Sequence, residues 1–365
     1  MFFIVECKKE LERVDMSKTA QTTNHTPTQE RLIEKLKREL GPLCLTALEN
    51  PDVIEIMHNS DGTLWVEELG KPIQHVGSME ESKVKALLGT IASYLETTIT
   101  IENPIIECEL PIDGSRFEGL IPPIVSRATF TIRKKASQIF TLEEYCQKKI
   151  LSNENYKLIK QSIYNPNNIE QPKKNILIVG STGSGKTTLA NAIIDGIVKQ
   201  TPEDRVVIIE DTAEIQCAAK NNVILRTSKE ITMLSLLRAT MRLRPDRILV
   251  GEVRGAEALD LLKSWNTGHS GGVATIHANS ARAGLTRLEQ LIAEATQAPM
   301  QTLISEAINI IIFISKTPKG RVVKEVIEVT GYDKSKEEYI IKEQNIKKLI
   351  TLELLNQKKE NNEKI

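Results

Sequence analysis

Apolar residues recur at two different periods along the 365-residue chain, and the change of period marks its organisation. Leu32, Ile33, Leu36 and Leu40 fall three and four apart, which predicts an amphipathic helix, and Val84, Leu87, Leu88, Ile91 and Leu95 predict a second. Between them, residues 53–57 and 64–67 read as strands joined by the turn signal Asn59-Ser60-Asp61-Gly62. Residues 107–111 read as a further strand before a turn at Asp113-Gly114. Residues 28–135 are therefore expected to form an α+β domain of helices and antiparallel hairpins. Residues 136–172, rich in Lys, Gln and Asn with a helical pattern around 142–163, are expected to be a connector packed on the second domain.

The rhythm differs over residues 173–345. Unbroken apolar runs at 176–179, 206–209, 248–250, 273–276 and 310–314 suit strands buried on both faces, and helical patterns separate them. This succession predicts a doubly wound α/β sheet. Residues 321–330 alternate apolar with polar, as a half-exposed outer strand should. Residues 1–27 and 346–365 are polar or charged and are expected to be flexible tails, and Met16 is an alternative start to Met1.

Length and a hydrophobic share of 40% are compatible with two packed domains. Lys plus Arg equals Asp plus Glu at 48 each, so bulk charge supplies no reason to expect nucleic acid or an anionic membrane as a partner. Cys7, Cys44, Cys108, Cys146 and Cys217 are scattered and contain no C-x-x-C, which argues against a disulfide framework or a zinc ribbon. No apolar run approaches the roughly 20 residues of a spanning helix, so any membrane association is expected to be peripheral or through a partner.

The chemistry concentrates in one stretch. Gly180, Ser181, Thr182, Gly183, Ser184, Gly185, Lys186, Thr187 and Thr188 fit the phosphate-loop pattern G-x-x-x-x-G-K-[ST], with a predicted strand before and a predicted helix after. The three glycines permit backbone angles and close approach that a Cβ would block, so successive N–H groups can surround a phosphate at the helix's positive end. Lys186 is expected at the β- and γ-phosphates of ATP and the Thr187 hydroxyl on Mg²⁺.

Hydrolysis needs carboxylates near the γ-phosphate. Glu210 and Asp211 follow the run 206–209, and Glu252 follows 248–250, at strand ends that gather on the ligand side of a parallel sheet. The usual metal-binding Asp is replaced by Gly251, so Mg²⁺ would rely on Thr187, phosphate oxygens and water, with Glu210 and Glu252 acting through that water or Glu252 as base. His269 and His277 bracket a short strand, and a neutral imidazole bonded to phosphate or water suits them better than a metal pair. Arg238, Arg242, Arg244, Arg247 and Arg254 crowd around the Glu252 strand, and spacing does not say which would touch phosphate. In the first domain Arg116, Arg127 and Arg133 lie on or beside predicted strands, where a solvated strand face is the ordinary explanation.

With these residues in hand, the sequence resembles the secretion traffic ATPases, most closely the conjugal-transfer TrbB group of type IV secretion, over roughly residues 30–335. Four motifs carry the resemblance: the phosphate loop; an acidic box, Ile209-Glu210-Asp211-Thr212-Ala213-Glu214; residues 244–255, Arg-Pro-Asp-Arg-Ile-Leu-Val-Gly-Glu-Val-Arg-Gly; and a histidine box over 268–279. On this resemblance Gly251-Glu252 is the family's usual strand ending. It implies a RecA-like P-loop core, a smaller N-terminal domain, and a homohexamer with nucleotide between the two domains. It further implies phosphate contacts from Arg116 and Arg133 and work beside inner-membrane components of a secretion apparatus from the cytoplasmic side; the catalytic residues expected from the motifs themselves are Lys186, Glu252, Glu210 and His277. The alternatives are a pilus-retraction ATPase, a RecA-like nucleic-acid motor, disfavoured by neutral charge and an aromatic content of 4%, and a regulatory scaffold without turnover.

Overall fold

The structure, a computed structural model, describes residues 26–135, 139–228, 230–318 and 320–343. The expected amino-terminal tail, save for residues 26 and 27, and the whole of the expected carboxyl-terminal tail lie outside the described residues. The chain divides into two compact units between Arg133 and Lys134.

The first unit contains α1 (Pro27–Glu49), β1 (Val53–His58), β2 (Thr63–Glu68), β3 (Gln74–Ser78), α2 (Glu81–Tyr94), β4 (Ile105–Glu109), β5 (Arg116–Leu120) and β6 (Thr129–Arg133). α1 starts in a capping box, with Thr26 and Gln29 satisfying each other's backbone N–H groups, and it bends at Gly41-Pro42. It thus runs past the Leu40 at which the sequence pattern fades. The strands form one antiparallel sheet in the order β3-β2-β1-β6-β5-β4. Ile56, Ile132 and Phe117 share a row of that sheet and are buried with Leu36, Leu40, Leu87 and Leu88 of the helices. β3 escapes the sequence pattern because nearly all of it is exposed.

The second unit contains α3 (Leu142–Gln147), α4 (Asn153–Ile163), β7 (Ile176–Val179), α5 (Lys186–Gln200), β8 (Val206–Glu210), β9 (Asn222–Arg226), α6 (Met233–Thr240), β10 (Arg247–Val250), α7 (Glu257–Asn266), β11 (Val273–Ile276), α8 (Ala281–Ala293), α9 (Gln301–Ala307), β12 (Ile310–Thr317), β13 (Gly320–Asp333) and β14 (Glu338–Glu343). Its sheet runs β14-β13-β12-β7-β11-β10-β8-β9, parallel from β12 to β9 and antiparallel beyond β12. Alternate strand residues feed two cores. Leu177, Ile248 and Ile311 pack with α6 to α9, whereas Ile178, Leu249 and Ile312 pack with α3 to α5. A sheet covered on both faces explains the unbroken apolar runs.

One strand departs from expectation. β13 is not the outer strand, because β14 pairs beyond it with Ile327 opposite Glu343 and Asp333 opposite Glu338. Its alternation therefore reflects partial cover at the end of the sheet, not an open edge. Among the described residues, no helix is long and apolar enough to cross a membrane.

Candidate functional site

Four buried residues of β7 end at Val179, and α5 begins seven residues later with Gly185 at its N-cap. Gly183 and Gly185 have φ of 69° and 96°, the left-handed region that glycine enters without penalty. Gly180 is fixed by space instead: a Cβ there would lie 2.4 Å from the Ile314 carbonyl oxygen of β12. The first turn of α5 has no side-chain cap and no acidic residue, which leaves its positive end available to an anion. Ser181, Thr182 and Gly183 are exposed, Ser184 is fully buried, and Thr187 and Thr188 are half-buried at the helix start. These features fit a bound phosphate.

Lys186 is buried, and its Nζ donates to the carbonyls of Gly180 (3.1 Å) and Ser181 (3.2 Å). The same ammonium lies 3.3 Å from His277 Nδ1, and His277 Nε2 lies 2.5 Å from Glu252 Oε1. With Lys186 donating to Nδ1, the imidazole proton sits on Nε2, the nitrogen beside Glu252. Burial pushes the His277 pKa down, and the positive charges of Lys186 and Arg254 add to this against the pull of Glu252, so the ring is neutral. Glu252 Oε2 accepts from Arg254 Nε (2.9 Å) and Nη2 (2.6 Å), and Arg254 Nη1 lies 3.3 Å from Asp211 Oδ2. The register of the parallel strands creates this convergence. Val250 pairs with Ile209 and Ala274, and Ile276 with Val179, so the residues that leave each strand emerge along one edge.

Glu210 is placed differently from expectation. It is 1% exposed, and its Oε2 accepts the backbone N–H groups of Glu214 (3.0 Å) and Ile215 (2.9 Å), while Oε1 faces Arg226 Nε at 3.7 Å. The backbone donors of the following loop draw the carboxylate toward that loop. Glu214 is the carboxylate that meets Thr187, accepting its hydroxyl at 2.9 Å. Asn191, one turn after Thr187 on α5, donates to the Glu214 carbonyl and accepts from the Gln216 N–H, which docks the acidic box on the helix. The spacing of four residues from Glu210 to Glu214 and from Thr187 to Asn191 was the available signal. Gly251 sits against Glu210: a Cβ there would lie 3.1 Å from Glu210 Cβ. No cluster of three or more potential metal-ligating side chains occurs among the described residues.

The arginines and histidines separate by strand end. Arg247 opens β10 with its side chain fully buried, donating to Asp204 Oδ2 (2.6 Å), the Gly271 and Ile163 carbonyls (2.9 Å each) and Thr201 Oγ1 (3.2 Å). His269 lies with it at the amino-terminal end of the sheet, 2.9 Å from the Pro245 carbonyl. Arg238 faces Asp260 at 3.7 Å, and Arg242 and Arg244 are exposed. Of the five clustered arginines, Arg254 reaches the Glu252 carboxylate.

In the first unit, Arg133 pairs with Arg116 across β6 and β5, Arg133 with Glu55 on β1, and Arg116 with Glu109 on β4. This charged row alternates with the buried Ile56, Ile132 and Phe117, so it occupies the sheet face opposite the core. Arg127 lies outside the strands, 3.9 Å from Glu81.

A family model described as Type II/IV secretion system protein matches residues 46–355. The chain belongs to that family. It is 50% identical over 302 residues to a probable conjugal transfer protein TrbB of Sinorhizobium fredii, and 51% identical over 302 residues to conjugal transfer protein TrbB of Rhizobium radiobacter. In both cases the alignment covers 83% of this chain and 91% of the relative. It is 32% identical to type IV secretion system protein PtlH of Bordetella pertussis, covering 77% and 91%. Among solved structures, the pilus retraction motor PilT with bound ADP matches with a TM-score of 0.57 at 22% identity, covering 86% of each chain. The ATPase DotB of Legionella pneumophila matches with a TM-score of 0.56 at 18% identity, covering 83% and 81%. This family member therefore has the RecA-like P-loop fold with a smaller α+β unit before it.

Proposed function

We propose that this protein is an ATP-hydrolysing motor that energises a conjugative or type IV secretion apparatus, acting as a ring of six identical chains beside inner-membrane components of that apparatus. The observation that carries the reading is the convergence of Lys186, His277 and Glu252 beside a phosphate-shaped loop. Half the residues are shared with conjugal transfer proteins over most of the chain, which favours conjugation over pilus retraction. The likeness to a retraction motor is one of fold.

Lys186 and the N–H groups of the loop hold the β- and γ-phosphates of ATP, and the Lys186 charge offsets the negative charge that shifts onto them as the bond breaks. Glu252 orients the attacking water and accepts its proton, while neutral His277 fixes the Glu252 carboxylate. With nucleotide bound, the Thr187 hydroxyl would hold Mg²⁺, Glu252 would reach it through water, and Glu214 stands beside Thr187. Magnesium supplies positive charge at the phosphate oxygens. Arg116 and Arg133, adjacent in a row flanked by Glu55 and Glu109, contribute charge to a phosphate, and Arg133→Ala is expected to weaken ATP binding.

The test combines ATPase kinetics of the purified chain, its molar mass by light scattering with and without nucleotide, and plasmid transfer by a conjugative strain lacking its own gene for this protein. Turnover, a sixfold mass and restored transfer are expected. Turnover and assembly without restored transfer would remove the conjugative role, and absence of turnover in an assembled, nucleotide-bound ring would remove the enzyme.

A further inference from the structure

We propose that Arg254 is a positioning residue for hydrolysis: it holds one oxygen of Glu252 while the other lies against His277, and through Asp211 it ties that carboxylate to the loop ending β8. This role deepens the proposed ATPase function and rests on it. A glutamate's terminal torsion is broad, so a carboxylate that must face one water needs its two oxygens distinguished by its neighbours. Here they are distinguished. Oε1 faces His277 Nε2 at 2.5 Å, and Oε2 accepts two N–H groups of one guanidinium, Nε at 2.9 Å and Nη2 at 2.6 Å.

The third arm of that guanidinium, Nη1, reaches Asp211 Oδ2 at 3.3 Å, and Asp211 Oδ1 accepts from the Thr227 hydroxyl at 3.0 Å just beyond β9. The Arg254 backbone is also anchored. Glu257 Oε1 accepts the N–H groups of Arg254 (2.7 Å) and Gly255 (2.9 Å), fixing the turn into α7 from which the side chain rises. Thr227, Asp211, Arg254, Glu252, His277 and Lys186 thus form one chain of contacts across the ends of five strands. Burial works against the Arg254 charge, but the bonds to Glu252 and the charges of Glu252 and Asp211 raise its pKa above the ordinary arginine value.

The side chain of Arg254 is 58% exposed, and an exposed ion pair adds little to stability. Orientation is what remains for it to supply, and a small misplacement of a reacting group costs up to about 10²-fold in rate. A lysine offers a point charge and cannot address both carboxylates in this fork.

The test is a double-mutant cycle on the full chain. R254A should lower kcat about 10- to 100-fold with the Kd for a fluorescent ATP analogue changed by less than about twofold, and R254K should recover only part of the loss. In the E252Q background the same substitution should cost nothing further, because its target is already gone. Hydrogen–deuterium exchange of the ligand-free protein should quicken in R254A over residues 210–216 as well as 250–256. D211N, a milder change, should lower kcat in the same direction without adding to R254A.

Losses that multiply in E252Q/R254A, or an R254A defect expressed mainly in nucleotide affinity, would overturn the positioning role alone. Wild-type turnover in E252Q would overturn the assignment of Glu252, and the role of Arg254 with it. Should R254A fail to fold, D211N and R254K carry the same comparison.

Discussion

Arg247 and Arg254 stand seven residues apart at opposite ends of the strand β10, yet they have nothing in common but their charge. Arg247 is fully buried and spends its donors on Asp204, Thr201 and two carbonyls. Arg254 is more than half exposed and grips carboxylates beside the phosphate loop. The amino-terminal edge of the sheet is built to hold three segments together; the carboxyl-terminal edge is built to present chemistry. Parallel strands make the distinction possible, because every strand delivers its following residues to the same edge.

The largest effect is expected from the carboxyl-terminal edge. Lys186→Ala removes the charge that faces the β- and γ-phosphates and should cut hydrolysis by at least about 10²-fold while weakening nucleotide binding. Circular dichroism melting of the nucleotide-free variant should match wild type within a few degrees. Retained turnover would sink the central assignment.

Arg247→Ala is the converse. Removing one partner of a buried charge pair should cost about 3 to 5 kcal/mol, read as a lower denaturant midpoint. Molecules that remain folded at low temperature should keep close to wild-type kcat, and a kcat defect without loss of stability would erase the contrast between the two edges.

Glu252→Gln sharpens the carboxyl-terminal edge. The amide keeps the shape but accepts no proton, so kcat should fall by about 10²-fold while ATP binding is kept. A defect confined to KM would mean that Glu252 binds and does not act as base.

The smallest effect concerns acid. Burial works to raise the pKa of Asp204, but bonds from Lys173, Arg247 and Thr201 outweigh it and hold the value below the ordinary 3.8. A carboxylate with a depressed folded-state pKa stabilises the fold above its unfolded pKa and loses that contribution as pH falls through the folded value. Asp204→Asn should therefore be less stable than wild type at pH 7, and the gap in melting temperature should close below about pH 4. A gap independent of pH would show that Asp204 acts by shape and not by charge.

Much of this was legible in the residues. The unbroken runs of β7, β8, β10, β11 and β12 announced strands buried on both faces, and the phosphate loop named its own context of strand and helix. Less was legible where burial is slight. β3 and β9 carry mixed side chains that no periodicity separates from loop, and β14 was missed because its pairing partner β13 lies in the sequence as an apparently exposed strand.

Sequence by itself determined which residue types arrive at the nucleotide edge, since strand ends and motif spacing are local facts. The tertiary structure alone decided how they are used. Glu210 turns under its own loop because two backbone donors wait there, and Glu214 takes the place beside Thr187. Arg247 and Arg254 look alike in a string of arginines and separate only when burial and partners are assigned. Those are set by contacts between residues far apart in the chain: Arg247 meets Ile163, Thr201, Asp204 and Gly271, and Arg254 meets Asp211. No pattern within one strand encodes such meetings, because they exist only once the sheet has brought its neighbours into register.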